Sequence, residues 1–352
     1  MQRRGNAGRL AFTQDNLLLP RMDLSMPLPT SRPLGALPTI ELHRHLEGSL
    51  RLTTLVDVAN ACDLPLPRTA EALRPLVQVV DGEPRSWDVF LSKFRVLRQF
   101  FLSEAIVRRV VREAVADAAA DGVRYLELRF TPVALANAIH VPFASVIAWV
   151  CEEAAAEAAR RSIETRLIVS INRHESLDLG ASVFDAAFDF SEQGVVAVEL
   201  AGRETEADMR PFGPLVERAR AHGLGGTIHA GEWVGAQGVR DALDVFAPER
   251  IGHGVRAAED PALLRLLAQR GTVLEICPSS NVDSGVVPAL EQHPLPALLR
   301  AGVRVTLNTD DPALCHLTLS DEFARVRAAL PVSDDDLAQM TVTAAEAAFL
   351  PA

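Results

Sequence analysis

The chain predicts a closed (β/α)8 barrel of the TIM type, an α/β fold, and two observations lead there. Eight short runs rich in β-branched and apolar residues follow Pro38, most of them separated by Ala/Arg/Glu-rich stretches of helical period. Polar residues suited to chemistry gather at the C-terminal ends of those runs, the face on which barrel enzymes carry their sites. A doubly wound open sheet is the rival, but no G-x-G-x-x-G or Walker loop follows any run.

In order, the predicted strands are TIELHRHL (39–46), RYLELRF (124–130), RLIVSIN (166–172), VAVELAG (196–202), GTIHAGE (226–232), RIGHGV (250–255), TVLEICPSS (272–280) and RVTLNTDD (304–311). The first two lie about 80 residues apart, far more than the others, and the gap holds SWDVFLSKFRVLRQFF (86–101). That segment reads as a helical insertion after the first strand, placed to cover the barrel mouth. Its Phe90, Leu91, Phe94 and Leu97 have the spacing of an amphipathic helix seated on a core. Residues 1–36 read as a flexible tail, too broken by Pro and charge for a signal peptide or a bilayer span, with Met22 and Met26 as alternative starts. Residues 37–352 read as one domain.

Composition narrows the function. With 352 residues, 48% hydrophobic and 23% charged, the chain is of globular type. A net charge of −11 argues against a nucleic-acid backbone or an anionic membrane surface as partner, since both select for basic patches. Lys93 is the sole lysine against 34 arginines, so arginine clusters read as background. Four scattered cysteines without a C-x-x-C pair point to a reducing cytoplasm.

His43 and His45 stand at i and i+2 in the first strand, so both imidazoles face the barrel interior. His229 ends the fifth strand, His253 the sixth, and Asp310 and Asp311 the eighth. Three or four of these groups could hold one divalent cation, because Zn²⁺ takes neutral imidazole nitrogens and a carboxylate oxygen. An H-x-H pair alone reads more readily as a hydrogen-bonded core pair. The joint pattern is stronger, since all four strand histidines fall at or near strand C-termini. With Lys93 in the helical FLSKF stretch, no strand lysine is present to bridge two ions, which favours a mononuclear centre.

The segments ELHRHLEGSLR, YLELRFTP, VELAG, TIHAGE, RIGHGV, EICPSSN and LNTDDP, in this order and spacing, resemble the adenosine deaminase family of the amidohydrolase superfamily. The resemblance runs from about Leu37 to the C-terminal AAEAAFLPA. It implies that His43, His45, His229 and Asp310 bind one Zn²⁺ and that His253 and Asp310 orient and deprotonate the attacking water. Glu232 then protonates ring N1 of an adenine, Asp311 faces N7, and the Gly202 backbone N–H faces N3. Without the resemblance, Glu232 reads equally well as a helix N-terminal carboxylate and Gly202 as a turn glycine. The CPSSN loop receives no individual catalytic role, and Cys277 reads as packing.

The implied partner is a small purine nucleoside, adenosine or 2′-deoxyadenosine. Two departures bear on it. Nucleoside deaminases usually carry Asp in H-L-D-G, near the ribose 5′-hydroxyl, where this chain has Glu47. Glutamate also occurs there in adenine deaminases, and a longer side chain suits a nucleoside modified at 5′, such as 6-amino-6-deoxyfutalosine. Arg203 replaces a commonly acidic or amide position after VELAG. A non-catalytic metal-binding barrel and a dihydroorotase-like hydrolase are the readings from other classes. The complete set of competent residues weighs against the first, and the HAGE acid without a strand lysine against the second.

Overall fold

In the computed structural model, residues 39–205 and 208–350 are described; the tail expected over 1–36 lies outside them. Eight strands form one parallel sheet in sequential order: β1 (Thr39–His45), β2 (Val123–Phe130), β3 (Glu164–Asn172), β4 (Val195–Ala201), β5 (Gly225–Ala230), β6 (Arg250–His253), β7 (Val273–Ile276) and β8 (Val305–Leu307). The seam between β8 and β1 is closed beyond the end of β8. Asp310 N–H donates to the His43 carbonyl at 3.0 Å, and His45 N–H donates to the Asp310 carbonyl at 2.8 Å. Asn308 Oδ1 accepts from Leu42 N–H at 2.9 Å on the same seam. The barrel is therefore pinned shut by backbone bonds at three of the candidate site residues, His43, His45 and Asp310.

Fourteen α-helices accompany the strands among the described residues. Four fill the long first connection: α1 (Leu52–Ala61), α2 (Ala70–Val77), α3 (Trp87–Leu97) and α4 (Glu104–Ala120). Ser86 and Ser103 start α3 and α4 by accepting from the backbone N–H three residues on, as N-caps do. Helices α5 (Pro132–Ala136), α6 (Phe143–Arg161), α7 (Leu177–Phe188), α8 (Gly213–Ala221), α9 (Ala236–Phe246) and α10 (Pro261–Arg270) follow strands β2 to β6. After β7 come α11 (Pro278–Asp283) and α12 (Leu295–Arg300), and after β8 come α13 (Leu319–Ala329) and α14 (Asp334–Ala347). Capping boxes at Thr318 and Ser333 begin the last two. No helix among the described residues is long and apolar enough to cross a membrane.

Strand alternation sorts the barrel wall into two faces. Leu126, Leu128 and Phe130 of β2 pack outward against the helices in the main core. The inward positions are charged: Glu127, Arg129, Glu199, Arg250 and Glu275 are all fully buried. Arg129 pairs with Glu199 and Glu275, and Arg250 pairs with Glu275 and Glu127. Such charges survive burial only when every one is paired and hydrogen-bonded. Arginines read as background in the sequence thus form the barrel's inner scaffold.

The strands expected at 226–232, 272–280 and 304–311 end early. Gly231 at φ +66° turns the chain after β5, Pro278 at the first position of α11 stops β7, and Asp310 sits at φ +65° beyond β8. The insertion helix is seated as expected for an amphipathic helix. Phe90 and Leu97 are buried in the core and Leu91 and Phe94 pack against it, so the stripe is packing surface. Lys93 is buried and structural, donating to Glu83 at 2.9 Å and to the Pro75 carbonyl at 3.0 Å.

Candidate functional site

Every site residue read from the sequence comes to the C-terminal end of the barrel. His43 is fully buried, with Nδ1 2.7 Å from Glu275 Oε2. Its Nε2 lies 3.2 Å from Asp310 Oδ1 without a hydrogen bond. His45 Nε2 lies 3.3 Å from both His229 Nε2 and Asp310 Oδ1. His229 Nδ1 lies 3.1 Å from Glu199 Oε1. Two overlapping groups could hold a metal ion: His43, His229, His253 and Asp310, and His45 with Glu199 and His229.

The surroundings tune two of these imidazoles toward the neutral form that metal binding requires, whereas His43, facing Asp310 and Glu275, is raised against its burial. Burial pushes His45 down to about 3 and His253 well below the usual imidazole range, which keeps their lone pairs free at neutral pH. Burial opposes ionisation of Asp310, but the adjacent His43 and the neighbouring imidazoles of His253 and His45 hold it well below the usual carboxylate range. Glu275 and Glu199 are likewise held low against their burial, first of all by Arg129. A carboxylate on the second ring nitrogen fixes the orientation of a metal-ligating histidine, and His43 and His229 each face one. The donor set, the crowding of nitrogens at 3.3 Å and the unbonded His43 Nε2 fit a bound divalent cation.

A second set of acids stands beside this cluster. Glu232 is buried 3.8 Å from His253 Nε2, which in turn lies 3.9 Å from Asp310 Oδ2. Burial, then Asp310 and Glu204, push its carboxyl well above the usual range. Asp311 is raised well above its usual range by burial and by Asp310, Glu47 and Glu232, and its Oδ1 makes no hydrogen bond. Gly48 makes room for it, since a Cβ there would lie 1.8 Å from Asp311 Oδ1. Glu47 accepts from Thr131 N–H at 2.8 Å, while its Oε2 is buried and unbonded. Gly202 adopts φ +84° against Asn172, a conformation that favours glycine.

Several supporting residues had no role assigned from the sequence. Glu204 receives the backbone N–H groups of Gly231, Glu232, Trp233 and Val234, at 3.0 Å for Glu232 and 2.9 Å for Val234, and so shapes the loop that carries Glu232. Glu232 lies in that loop, ahead of α9, so it is not a helix N-terminal carboxylate. The CPSSN loop also does more than expected. Ser280 Oγ donates to Asp310 Oδ2 at 2.6 Å, and Asn281 lies 3.2 Å from His253 Nδ1. A run of three small polar residues, Ser279, Ser280 and Asn281, directly after an apolar strand is the signal that could have found them, and all three are buried.

Glu322 of α13 anchors this loop by accepting from Ser279 N–H at 2.7 Å and from Ser279 Oγ. Burial raises its carboxyl to about 7 despite those bonds. An acid raised in the folded state favours folding at low pH, and stability falls as pH rises from the unfolded value toward 7. The full loss is on the order of 3 kcal/mol. Glu322→Gln should therefore flatten the fall in Tm between pH 5 and pH 8, measured by thermal melts. An unchanged pH dependence would refute that titration.

Arg203 connects the loop after β4 to the insertion, with its guanidinium carbon 3.2 Å from the centre of the Trp87 ring at the start of α3. Arg203→Ala should remove about 1 kcal/mol of cation–π attraction. Faster hydrogen exchange over 86–97 with little change elsewhere is the expected result, and unaltered exchange there counts against the clasp.

A (β/α)8 barrel with imidazoles and a carboxylate converging at its strand ends defines a metal-dependent hydrolase of the amidohydrolase type. The adenosine deaminase family model matches residues 38–352. An adenosine deaminase of Erwinia tasmaniensis is 38% identical over 307 residues, 87% of this chain and 91% of that protein. Among solved structures, an adenine deaminase from Arthrobacter aurescens superposes with a TM-score of 0.82 at 28% identity, covering 91% of this chain and 95% of its own. An amidohydrolase from Burkholderia ambifaria with bound Zn gives 0.82 at 25% identity, covering 94% and 91%. The chain belongs to the adenosine deaminase family, and it is a hydrolytic deaminase.

Proposed function

We propose that the protein deaminates an adenine nucleoside at C6, converting adenosine or 2′-deoxyadenosine and water to the 6-oxo nucleoside and ammonia, with one Zn²⁺ per chain. The observation that carries this reading is the pair of acids with opposite tuning. Asp310, within the imidazole cluster, is held well below the usual carboxylate range, whereas Glu232, 3.8 Å from His253, is pushed well above it by burial and by Asp310. Paired groups whose surroundings drive them apart are the mark of an acid and base division of labour.

His43, His45, His229 and Asp310 would hold the ion; His43, His229 and Asp310 fall in one of the two candidate clusters and His45 shares the other with His229, and the zinc-bound Burkholderia ambifaria structure supports that metal. When bound, the ion would supply a Lewis acid that makes water acidic enough to serve as nucleophile near neutral pH, its pKa falling from 15.7 toward about 7. His253 and Asp310 take the proton of the attacking water and orient it toward C6. Glu232 delivers its proton to ring N1 as C6 becomes tetrahedral. The proton taken from water by His253 and Asp310 then passes to the amino group, which leaves as ammonia, and the C6 hydroxyl proton restores the Glu232 carboxyl. Protonated Asp311 donates to N7, and the Gly202 N–H faces N3. His45 and Glu47 lie toward the 5′ end of the ribose.

The test is turnover of adenosine, 2′-deoxyadenosine, adenine and 6-amino-6-deoxyfutalosine by metal-quantified protein, followed by ammonia release and purine absorbance. Turnover of a nucleoside supports the reading. Preference for free adenine, the substrate named for the Arthrobacter aurescens structure, would replace it, and silence on all four would overturn it.

A further inference from the structure

On its Nδ1 side, His253 enters a chain of buried hydrogen bonds that the reaction proposed above does not use. Asn281 Nδ2 lies 3.2 Å from His253 Nδ1, and Asn281 Oδ1 lies 3.2 Å from His293 Nε2. His293 Nδ1 in turn lies 3.1 Å from the Leu295 backbone nitrogen. His253, Asn281 and His293 are all buried. His293 follows the 3-10 turn Leu290–Gln292, on the connection from α11 to α12.

The far end of the chain sets its direction. A backbone N–H can only donate, so Leu295 fixes His293 Nδ1 as an acceptor. The His293 ring is then neutral with its proton on Nε2, a state that burial also favours by pushing it down to about 3. That proton needs an acceptor, so the Asn281 atom facing it is the carbonyl oxygen, and the amide nitrogen turns toward His253. Asn281 thus donates to His253 Nδ1, and an imidazole that accepts at Nδ1 carries its own proton on Nε2. His253 Nε2 stands 3.8 Å from Glu232 Oε2 and 3.9 Å from Asp310 Oδ2, beyond a hydrogen bond to either. Ser280, next to Asn281, donates to Asp310 Oδ2 at 2.6 Å, so consecutive residues of one segment hold both groups.

We propose that His293 and Asn281 are positioning residues that lock His253 as the Nε2–H tautomer. The proposal rests on the deaminase reading above and divides the task that His253 and Asp310 share there. His253 donates its Nε2–H to the oxygen of the attacking water and keeps that proton. The Asp310 carboxylate takes the water proton and passes it to the leaving amino group. The inverted tautomer would compete with Asp310 for the water proton and leave the oxygen unheld.

The test reads the tautomer directly, by proton–nitrogen correlation of isotope-labelled histidine rings in zinc-loaded protein, with His253→Gln identifying the signals. His253 should show a protonated Nε2 and a bare Nδ1, and the reverse would overturn the proposal. Asn281→Asp, whose ionised carboxylate only accepts, should invert the tautomer with metal content unchanged. Its kcat for adenosine should fall by about 10- to 100-fold, the scale of one hydrogen bond to a charged group, with KM within about twofold of the parent. His293→Phe should give a mixture of tautomers and part of that loss. His293→Gln, whose amide can donate to Asn281, should restore the parent spectrum and rate, with thermal melts confirming that each variant folds. An unchanged tautomer in Asn281→Asp, or equal losses in His293→Phe and His293→Gln, would overturn the lock. An inverted tautomer with unchanged kcat would overturn the division of roles. The spectrum needs no substrate, so a parent protein without adenosine turnover would remove the deaminase reading and the roles built on it, whereas a wrong tautomer removes the lock alone.

Discussion

Glu232→Gln is expected to keep its metal and lose its reaction. The side chain is isosteric and lies outside the group of ligating atoms, so metal content should match the parent protein. Proton delivery is what disappears, because an amide cannot protonate a ring nitrogen. General acid catalysis is worth about 100- to 10,000-fold, so kcat should fall by at least that order with a much smaller change in KM. The buried Glu232 side chain is pushed toward its neutral form by burial, Asp310 and Glu204, and Gln reproduces that neutral state. Stability should therefore hold or rise, which separates the catalytic loss from misfolding. Turnover near the parent value would remove Glu232 from the chemistry.

The same acid shows how the fold serves the site. The loop after β5 is not held by a helix; it is gathered by one carboxylate, Glu204, that accepts four consecutive backbone N–H groups. Glu204 arises from the loop after β4, and Ser280 and Asn281 from the segment after β7. Adjacent strand ends thus position one another's functional groups, which a barrel allows because all its C-terminal ends converge. The charged interior continues this from below. Arg129 joins Glu199 behind His229 to Glu275 behind His43, so two histidines are oriented by one buried guanidinium.

Legibility in the sequence follows from what each residue must do locally. The eight strands were visible because their outward faces bury apolar side chains against helices, which writes alternation into the chain. His43, His45, His229, His253 and Asp310 were visible because rare residue types recur at strand ends. Glu204, Ser280 and Asn281 were not, since their partners are 27 to 30 residues away and a lone carboxylate or hydroxyl carries no periodicity. Arg129 and Arg250 were hidden for another reason: in a chain with 34 arginines, two that are buried look like the rest. The ends of β5, β7 and β8 were overextended because β-branched propensity persists into segments that Gly231, Pro278 and Asp310 turn aside.

His43→Ala is expected to lose metal and activity together, and Glu275→Gln supplies the comparison that gives the result meaning. His43 occupies the centre of the cluster, with ring centroids of His45, His229 and His253 at 5.3, 4.8 and 4.9 Å. Removing its imidazole deletes one of the proposed ligands and leaves Glu275 without one of its three partners. Metal content by elemental analysis should fall from about one equivalent to near zero, since a mononuclear site cannot spare one of four ligands. Glu275→Gln keeps the ligand, but it loosens its orientation and also removes the charge that pairs with buried Arg129 and Arg250, so Tm should fall as well. In protein that thermal melts show folded, metal affinity should weaken by about 10- to 100-fold while some activity returns at high metal concentration. A graded pair of this kind assigns His43 to the ion itself and Glu275 to its support. A full equivalent of metal retained by His43→Ala would instead place the ion on the neighbouring group of His45, Glu199 and His229.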